Sequence, residues 1–431
     1  MSDRRIRRVQ DIARLGGHRA PVVALYSGGL DSSYLLKLLR EAGVREVVAL
    51  VVDVGDDLGV DSLASRAGRL GADLAVVDAR EQFADEFVAP AIQAGAHYLA
   101  GYPISSSLSR PLIALKAMEV ATECGATAIV HSAHPSQNTL RRINTSLDIL
   151  GFPGMFGTPF ELTPVSRSRE AAELAAVGVD ELADRTISVD SNLWCREFES
   201  GVLEDPERFE IPERLYEWTR PGQPVAQDST EIRYEGGVPV QVDGRPLGLV
   251  ELIAEVNRLA GAHGLGRYVG LEHLSTGAKV LEAREMPAAH VLLAGFAHLL
   301  SATVDAETIR EKLHLDQLWV REAVEGRWFG RLRVAAQEFI SSVSAGVSGT
   351  VRMKLTGGQA SPVSIRARAP LYLRDRGSWD ATNSPRPGAT STAAVEERVP
   401  AEWPRDELTG VPGDRGPSRP RGQREDRPPW K

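Results

Sequence analysis

The sequence predicts an α/β protein, in which a doubly wound, mostly parallel sheet is followed by a second α+β domain. The first observation is an alternation of apolar strand-like runs and helical patterns between residues 22 and 131, which is the order expected of a parallel sheet covered by helices. The second is a change to short hairpins and alternating strands after about residue 187. With 431 residues, the chain is long enough for two domains.

The stretch from Val22 to Gly43 organises the first domain. Val22–Leu25 predicts a short buried strand, Gly28 and Gly29 interrupt it, and residues 31–33 (Asp-Ser-Ser) can cap a leucine-rich helix that stops at Gly43. Such a turn before a helix N-terminus binds anions, because its N–H groups converge and the helix dipole favours negative charge. Neither the Walker lysine pattern nor G-x-G-x-x-G is present. The alternative interpretation is an ordinary strand, turn and capped helix that binds no anion.

The remaining elements of the first domain follow from its apolar runs. A second buried strand ends at Val52-Asp53, where a ligand binds in an open α/β sheet. Asp53 either contacts a ribose or adenine or caps its own loop. Further along, the pattern predicts a helix at Ser62–Leu70, a strand at Leu74–Val77, a helix at Glu81–Ala96, a helix at Pro111–Cys124 with Pro111 in its first turn, and a strand at Ala126–His131.

The second domain has a different sequence pattern. Gly236-Gly237, between Ile232–Glu235 and Val238–Val242, is a two-residue hairpin signal. We expect helices at Pro246–His263, Pro287–Leu300 and, with breaks, Gln317–Phe339, and strands at Thr350–Leu355 and Val363–Ala369.

These patterns divide the chain into four segments. Residues 1–19 form a basic arm that we expect to be solvated, residues 20–184 a nucleotide-binding domain, and residues 185–374 a substrate and oligomerisation domain. Residues 375–431 are rich in Pro, Gly and Arg and lack apolar periodicity, so we expect a disordered tail.

Composition excludes several classes of function. The net charge of −8 does not suggest general nucleic-acid binding. Two cysteines without metal-ligand spacing predict neither a disulfide framework nor a structural zinc site. The basic start has no apolar core typical of a secretory signal, and no run approaches the roughly 20 apolar residues that span a bilayer. We therefore expect a cytoplasmic protein that binds neither nucleic acid nor membrane.

The seven residues 27–33, Ser-Gly-Gly-Leu-Asp-Ser-Ser, resemble the pyrophosphate-binding loop of ATP pyrophosphatases, which cleave ATP between its α and β phosphates. Four further stretches, in the same order, resemble argininosuccinate synthase: residues 102–111, 131–142, 187–206 and 272–287. The segments GVLEDP at 201–206 and YEWT at 216–219 are especially similar to that family. The resemblance covers roughly residues 20–370, and the order of several motifs makes it more specific than any one of them.

The resemblance implies a reaction. An oxygen of citrulline attacks the α-phosphate of ATP, pyrophosphate leaves, and the amine of aspartate then displaces AMP. Such chemistry needs two substrates held in line and stabilised phosphate charge rather than a covalent protein nucleophile. The resemblance also implies Mg²⁺ beside the ATP phosphates and a homo-oligomer, usually a tetramer, although the tail does not resemble the helix that links subunits in the family.

The resemblance also assigns residues to sites, and it assigns no protein ligand to a metal. ATP would contact the loop and the neighbouring strand ends at Leu25, Tyr26, Ser27, Gly28, Gly29, Asp31, Ser32, Ser33, Val52, Asp53 and Ser132. The amino-acid substrates would contact Tyr102, Ser106, Ser107, His134, Asn138, Thr139, Arg142, Ser188, Glu197, Glu199, Glu272 and Arg284. Asp31, Asn138 and Arg142 would be catalytic. Arg142 would pair with the carboxylate of citrulline, and Glu272 suits an α-ammonium group.

Four of these positions depart from the family pattern. His134 and Thr139 replace a threonine and an aspartate that handle the aspartate substrate, and the lost charge-assisted hydrogen bond at Thr139 is worth about 1.5–3 kcal/mol. Arg284 replaces a tyrosine, and Glu197 replaces a serine or threonine. Arg284 and Glu197 either pair with each other or turn to solvent, or Arg284 binds an extra anionic group on a different acceptor.

Changes confined to amino-acid contacts, beside an intact ATP loop, favour an AMP-forming carbon–nitrogen ligase with altered amino-acid substrates in a specialised biosynthetic pathway. Two alternatives stay open: a genuine argininosuccinate synthase of arginine biosynthesis, and a catalytically inactive nucleotide-binding subunit. An RNA-modifying member of the wider superfamily is disfavoured, because the chain has no basic domain and no sulfur-carrying cysteine pair.

Overall fold

The computed structural model describes residues 4–16, 20–182, 187–220, 227–356 and 358–384. Contacts between Cα atoms group the chain up to Tyr372 into one compact unit and the residues from Leu373 into a second. None of the helices in the described ranges combines the length and apolarity that a bilayer crossing requires.

The amino-terminal part alternates strands and helices, as predicted. A 3₁₀ helix at Val9–Arg14 and a π-helical turn at Ala84–Val88 accompany the regular elements. In chain order these are β1 (Arg5–Ile6), β2 (Val22–Leu25), α1 (Leu30–Glu41), β3 (Val47–Asp53), α2 (Val60–Arg69), β4 (Asp73–Asp78), α3 (Arg80–Phe83), α4 (Ala89–Gln93), β5 (His97–Tyr98), β6 (Tyr102–Pro103), α5 (Ser106–Glu123), β7 (Ala128–Val130), α6 (Thr139–Leu150), β8 (Met155–Gly157) and α7 (Arg167–Ala175).

Six parallel strands of this part form one sheet in the order β1-β8-β7-β2-β3-β4. The apolar run of β2 is buried between its two neighbours, with Val22 opposite Val47 on one side and Ala128 on the other. The chain moves outward from β2 to β4 and later returns on the other side of β2 at β7. The carboxyl end of β2 is therefore a switch point of strand order, where open α/β sheets bind ligands.

The carboxyl-terminal part contains two antiparallel sheets, ordered β14-β15-β10-β9 and β13-β12-β11-β16-β17. Gly236 and Gly237, at φ of +56° and +79°, make the predicted two-residue hairpin turn between β11 and β12. The elements are β9 (Ser188–Asn192), β10 (Cys195–Glu199), β11 (Ser229–Glu235), β12 (Val238–Val242), β13 (Arg245–Pro246), α8 (Leu249–Ala262), β14 (Arg267–His273), β15 (Lys279–Glu285), α9 (Pro287–Thr303), α10 (Ala306–Val324), α11 (Arg331–Ser344), β16 (Gly349–Thr356), β17 (Gln359–Ala367) and α12 (Arg376–Asn383).

The α/β class with a second, sheet-containing region is thus confirmed. One buried apolar cluster contains Val23 and Leu50 of the parallel sheet together with Tyr234 and Phe296 of the later part. The boundary that the sequence predicts between residues 184 and 185 lies outside the described residues and stays a prediction.

The amino terminus differs from the solvated arm that the sequence predicts. Ile6 is fully buried and pairs with Gly157 at the edge of the parallel sheet. Arg4 Nη1 donates a 2.8 Å hydrogen bond to the Phe152 carbonyl. In the sequence, Ile6 and Ile12 stand alone among many arginines, so no apolar pattern points to them. These two buried residues nevertheless anchor the segment. Residues 1–3 and 17–19 lie outside the described residues.

Two helix starts and the tail also differ from the sequence expectation. Helix α5 begins at Ser106, so Pro111 lies inside it rather than in its first turn. Helix α1 begins at Leu30 with Gly29 as N-cap, and no Asp or Ser side chain caps it. Within the predicted disordered tail, α12 is a helix whose N-cap Asp375 accepts from the Ser378 N–H. Residues 385–431 lie outside the described residues.

Candidate active site

The glycine turn after β2 has the conformation that an anion-binding loop requires. Gly28 adopts a φ of +70°, and its carbonyl accepts a 2.8 Å hydrogen bond from Arg66. The positive φ favours glycine here, and a β-carbon at Gly28 would lie 2.1 Å from Leu63 Cδ2, so the Leu63 side chain would have to move. Because no side chain caps α1 at Gly29, the first amides of the helix are available to bind an anion.

Several polar atoms of this loop are buried without a hydrogen-bond partner. They are the hydroxyl groups of Tyr26 and Ser33 and Oδ1 of Asp31. Folded proteins pair nearly all buried polar atoms, so a cluster of unpaired ones marks a place where a ligand supplies the partners. The hydroxyls suit phosphate oxygens, whereas the Asp31 carboxylate suits a cation.

A cavity of about 340 Å³ runs from this loop to the antiparallel sheet β14-β15-β10-β9. Sixteen of the residues assigned by the resemblance line it: Leu25, Tyr26, Ser27, Gly29, Asp31, Ser32, Val52, Ser106, Ser132, Asn138, Thr139, Arg142, Ser188, Glu197, Glu199 and Glu272. The other seven do not line it: Gly28, Ser33, Asp53, Tyr102, Ser107, His134 and Arg284. Asp53 instead accepts a 2.8 Å hydrogen bond from the Gly55 N–H, which is the loop-capping interpretation.

At the end of the cavity away from the loop, Arg142 and Glu272 form a buried ion pair. Arg142 also donates to Ser106 Oγ at 2.9 Å and to the Val324 carbonyl at 3.1 Å, so its guanidinium is fixed in one orientation. Burial opposes ionisation of Glu272, but Arg142 and Arg284 outweigh burial and lower the pKa of Glu272 to about 2. Both groups are therefore charged.

Arg284 and Glu197 face each other on neighbouring strands and form the ion pair that the sequence left as one of three possibilities. Arg284 Nε donates to Glu197 at 3.0 Å, and the guanidinium also pairs with Glu282. Its carbon lies 4.0 Å from the centre of the Tyr102 ring. The Arg284 side chain is only 3% exposed, and protein carboxylates hold its Nε and Nη2, whereas its Nη1 is buried without a hydrogen-bond partner.

The cavity wall carries more carboxylates than cations. Asp190, Glu197, Glu199, Glu272 and Glu282 all line it, whereas the arginines of the same cluster are Arg110, Arg142 and Arg284. Burial, with the charges of Glu197 and Asp190, raises the pKa of Glu199 to about 7. Burial, with Glu197, also raises the pKa of Glu282. The folded chain thus relieves its surplus negative charge by holding protons.

The residues that replace the family's aspartate-handling pair lie nearer the loop. Thr139 Oγ1 accepts a 3.1 Å hydrogen bond from Arg110, which also pairs with Asp190. The ring of His134 stacks on Phe160 with centroids 4.8 Å apart. Its Nε2 lies 3.7 Å from Oε1 of the fully buried Glu170.

Sequence reasoning missed several charged residues of this region, among them Arg110, Asp190, Glu282 and Glu170. Arg110, Asp190 and Glu282 lie inside stretches that carry the family resemblance, so a scan of those stretches for every ionisable residue finds them. Glu170 lies in α7, where no motif was recognised. Only folding brings it within reach of the loop.

The family model described as the arginosuccinate synthase N-terminal HUP domain matches residues 21–153. The model of the arginosuccinate synthase C-terminal domain matches residues 187–393. Together the two models cover both the loop and the antiparallel sheets around the cavity.

Three relatives, each named argininosuccinate synthase, are similar over most of their length. The protein from Dehalococcoides mccartyi strain 195 is 35% identical, covering 83% of this chain and 89% of its own. The Pyrococcus furiosus protein is 36% identical, and the match covers 81% of this chain and 86% of the relative. The Methanopyrus kandleri protein is 38% identical, with 83% of this chain and 92% of the relative covered.

Among solved structures, an NH₃-dependent NAD synthetase from Campylobacter jejuni is 14% identical, and the match covers 41% of this chain and 71% of that protein. The TM-score is 0.28, so the likeness is too weak to support an argument. The family models and the relatives, together with the loop and the cavity, settle the family. The chain belongs to the argininosuccinate synthase family of ATP-dependent ligases, which form carbon–nitrogen bonds.

Proposed function

We propose that this chain condenses citrulline with aspartate to argininosuccinate while ATP is converted to AMP and pyrophosphate. One observation carries the proposal: a single cavity connects the phosphate loop to the Arg142–Glu272 pair. A nucleotide at the loop and an amino acid at that pair would therefore share one cavity, as an adenylation reaction requires. The names of the relatives favour these substrates over altered ones.

The Arg142–Glu272 pair suits the head group of an α-amino acid. The guanidinium of Arg142 would donate to the substrate carboxylate, and Glu272 would accept from the substrate ammonium. The ion pair within the protein would thus be replaced by two ion pairs with the substrate. The substrate side chain would then point along the cavity toward the loop. Asn138 lies between, where its Nδ2 donates to the His273 carbonyl at 3.0 Å.

The loop would stabilise the charge that leaves with pyrophosphate. The first amides of α1 and the unpaired hydroxyls of Tyr26 and Ser33 supply neutral donors for phosphate oxygens. Asp31 fits a cation instead, which agrees with Mg²⁺ as the partner of ATP. Bound there, Mg²⁺ would neutralise phosphate charge and orient the leaving group.

The test is product analysis on the purified chain. With ATP, Mg²⁺, citrulline and aspartate, we expect stoichiometric pyrophosphate, AMP and argininosuccinate by mass spectrometry, and rescue of an arginine auxotroph. An Arg142→Ala variant, which removes the carboxylate partner, serves as the matched negative control. Binding of ATP without pyrophosphate release for any pair of substrates would instead identify an inactive nucleotide-binding subunit.

A ligase with a changed acceptor is the second candidate, and a specific observation favours it. Where the family has two neutral hydroxyls, this chain has the buried Glu197–Arg284 pair, with Glu199 and Glu282 beside it. A substrate bearing an additional ammonium or guanidinium group would relieve the surplus of carboxylates without the chain having to hold protons. The acceptor class would then be an amino acid with a ureido or carbonyl oxygen and a second cationic group, used in a specialised pathway.

Competition separates the two candidates. Citrulline and ureido amino acids with and without a second amine are offered together, and consumption of each is followed by mass spectrometry. Preference for citrulline supports argininosuccinate synthesis, whereas preference for the diamino compounds supports the changed acceptor. The same series with aspartate and other amines tests the donor side, where Thr139 replaces the family's carboxylate.

We further place the chain in the cytoplasm as a homo-oligomer, with the tetramer that the family resemblance implies. Light scattering on the full-length protein measures the subunit number directly. A monomeric mass at micromolar concentration would contradict this part of the proposal.

A further inference from the structure

Three potential metal ligands from separate parts of the chain meet beside the phosphate loop. They are Asp31 in the first turn of α1, His134 in the loop after β7, and Glu170 in α7. One ligand atom from each side chain lies within 4.8 Å of the other two. Bonds of about 2.2 Å join ligand atoms that are at most about 4.4 Å apart, so a side-chain movement of a few tenths of an ångström brings all three within reach of one divalent cation.

Three carboxylate oxygens of this cluster accept no hydrogen bond from the protein. Glu170 is fully buried, and neither of its oxygens has a hydrogen-bond partner. Asp31 Oδ1 is likewise buried without one. Two nitrogen-bearing side chains lie nearby but beyond hydrogen-bonding distance, with His134 Nε2 at 3.7 Å from Glu170 and Arg167 at 3.6 Å from Asp31. A buried carboxylate left in this state is costly unless a cation or a proton accompanies it.

The imidazole of His134 is held in place with one nitrogen toward the carboxylates. Its ring stacks on Phe160 at an interplanar angle of 8°. Its backbone N–H donates to Gln137 Oε1 at 3.0 Å, which fixes the start of the loop. One neutral nitrogen and two carboxylates balance the charge of a divalent ion. Imidazole favours transition metals, whereas Mg²⁺ prefers oxygen ligands and water.

We propose that Asp31, His134 and Glu170 form a binding site for a divalent transition-metal cation of the Mn²⁺ type at the edge of the phosphate loop. The site can bind an ion without nucleotide, because all three ligands belong to the protein and water can fill the remaining coordination positions. His134 stands where the family resemblance expects threonine, so the nitrogen ligand belongs to this chain rather than to the family pattern. In the proposed reaction, a cation here would add positive charge beside the phosphates that Asp31 faces.

Mn²⁺ binding to the full-length protein, without nucleotide, tests the proposal. The protein is stripped with chelator, and free Mn²⁺ is then counted by electron paramagnetic resonance. We expect one Mn²⁺ per chain, with a ¹⁴N coupling in the pulsed spectrum that identifies an imidazole ligand. Glu170→Gln should abolish binding. His134→Thr should weaken it at least roughly tenfold, the order of effect that even outer-shell changes produce, and should remove the ¹⁴N coupling.

Two controls make the result decisive. Asp61→Asn removes an exposed carboxylate from the start of α2 and should leave Mn²⁺ binding unchanged. Thermal melting tests folding, because Glu170→Gln removes an uncompensated buried charge and should leave the stripped protein at least as stable as wild type. Mn²⁺ should raise the melting temperature of wild type and of Asp61→Asn but not that of Glu170→Gln.

Equal Mn²⁺ binding by wild type, Glu170→Gln and His134→Thr would place the ion elsewhere and overturn the proposal. No binding by wild type would also overturn it, and would mean that the two carboxyl groups share a proton. Since no substrate is present, these outcomes are independent of whether the chain makes argininosuccinate.

Discussion

Exchange of Arg284 and Glu197 for family-like residues tests the most unusual feature of the cavity. The two side chains lie opposite each other on β15 and β10, at 3.0 Å and with side-chain exposures of 3% and 9%. Arg284→Tyr leaves Glu197 and Glu282 without their shared cation. Glu197→Ser removes one of these two carboxylates, and the double variant leaves only Glu282.

The magnitude follows from the burial of the pair. Removal of one partner of a buried ion pair costs about 3–5 kcal/mol, because the other charge stays buried and unpaired, whereas removal of both is far cheaper. We therefore expect Arg284→Tyr to lower the free energy of unfolding by about 4 kcal/mol. The double variant should be more stable than the sum of the single losses by about 2 kcal/mol, within the usual range for contacting residues.

Urea unfolding followed by tryptophan fluorescence measures these free energies. The matched control is the exposed Arg233–Glu235 pair, whose side chains are 52% and 57% exposed and should couple by less than about 1 kcal/mol. If the effects of Arg284→Tyr and Glu197→Ser simply add, the pair is not a coupled buried unit and the reasoning fails. If the double variant also gains activity with citrulline, the ion pair determines acceptor specificity.

Three further predictions concern the loop, the pH dependence and the substrate head group. Gly28→Ala forces a β-carbon to 2.1 Å from Leu63 at a φ of +70°, so ATP affinity by calorimetry should fall at least roughly tenfold, a loss of about 1.4 kcal/mol. Gly43→Ala, at φ +77° with nothing within 4 Å, should leave ATP affinity unchanged, and equal losses would contradict the loop's role. Because the pKa of Glu199 is raised to about 7, the folded chain keeps a proton that the unfolded chain releases. The free energy of unfolding should therefore fall as pH rises from about 4.5 to 7, by at most about 3 kcal/mol. Glu199→Gln should flatten this slope, and identical slopes would refute the assignment. Arg142→Lys keeps the charge but loses the planar fork, so the acceptor KM should rise roughly tenfold with the KM for ATP nearly constant. A rise confined to ATP would be the contrary result.

Local patterns determine a large part of this protein. The apolar run at Val22–Leu25 and the two glycines after it predict a strand followed by a glycine turn, and both are present with the expected bounds. The hairpin at Gly236-Gly237 is equally local, since only residues that accept positive φ form that turn. The order of the family-like stretches predicts the fold class and the family, because such motifs can be recognised without knowing which residues are in contact.

Tertiary structure decided what the charged residues do. In the sequence Arg284 and Glu197 are 87 residues apart, and their pairing depends on the register of two antiparallel strands. Glu170 has no motif and meets Asp31 and His134 only because α7 packs near the start of α1. Ile6 joins the sheet edge despite its arginine neighbours. A side chain's partners and burial, and hence its charge state, depend on residues distant in the chain, so the sequence alone determines the loop and the fold but not the electrostatics of the cavity.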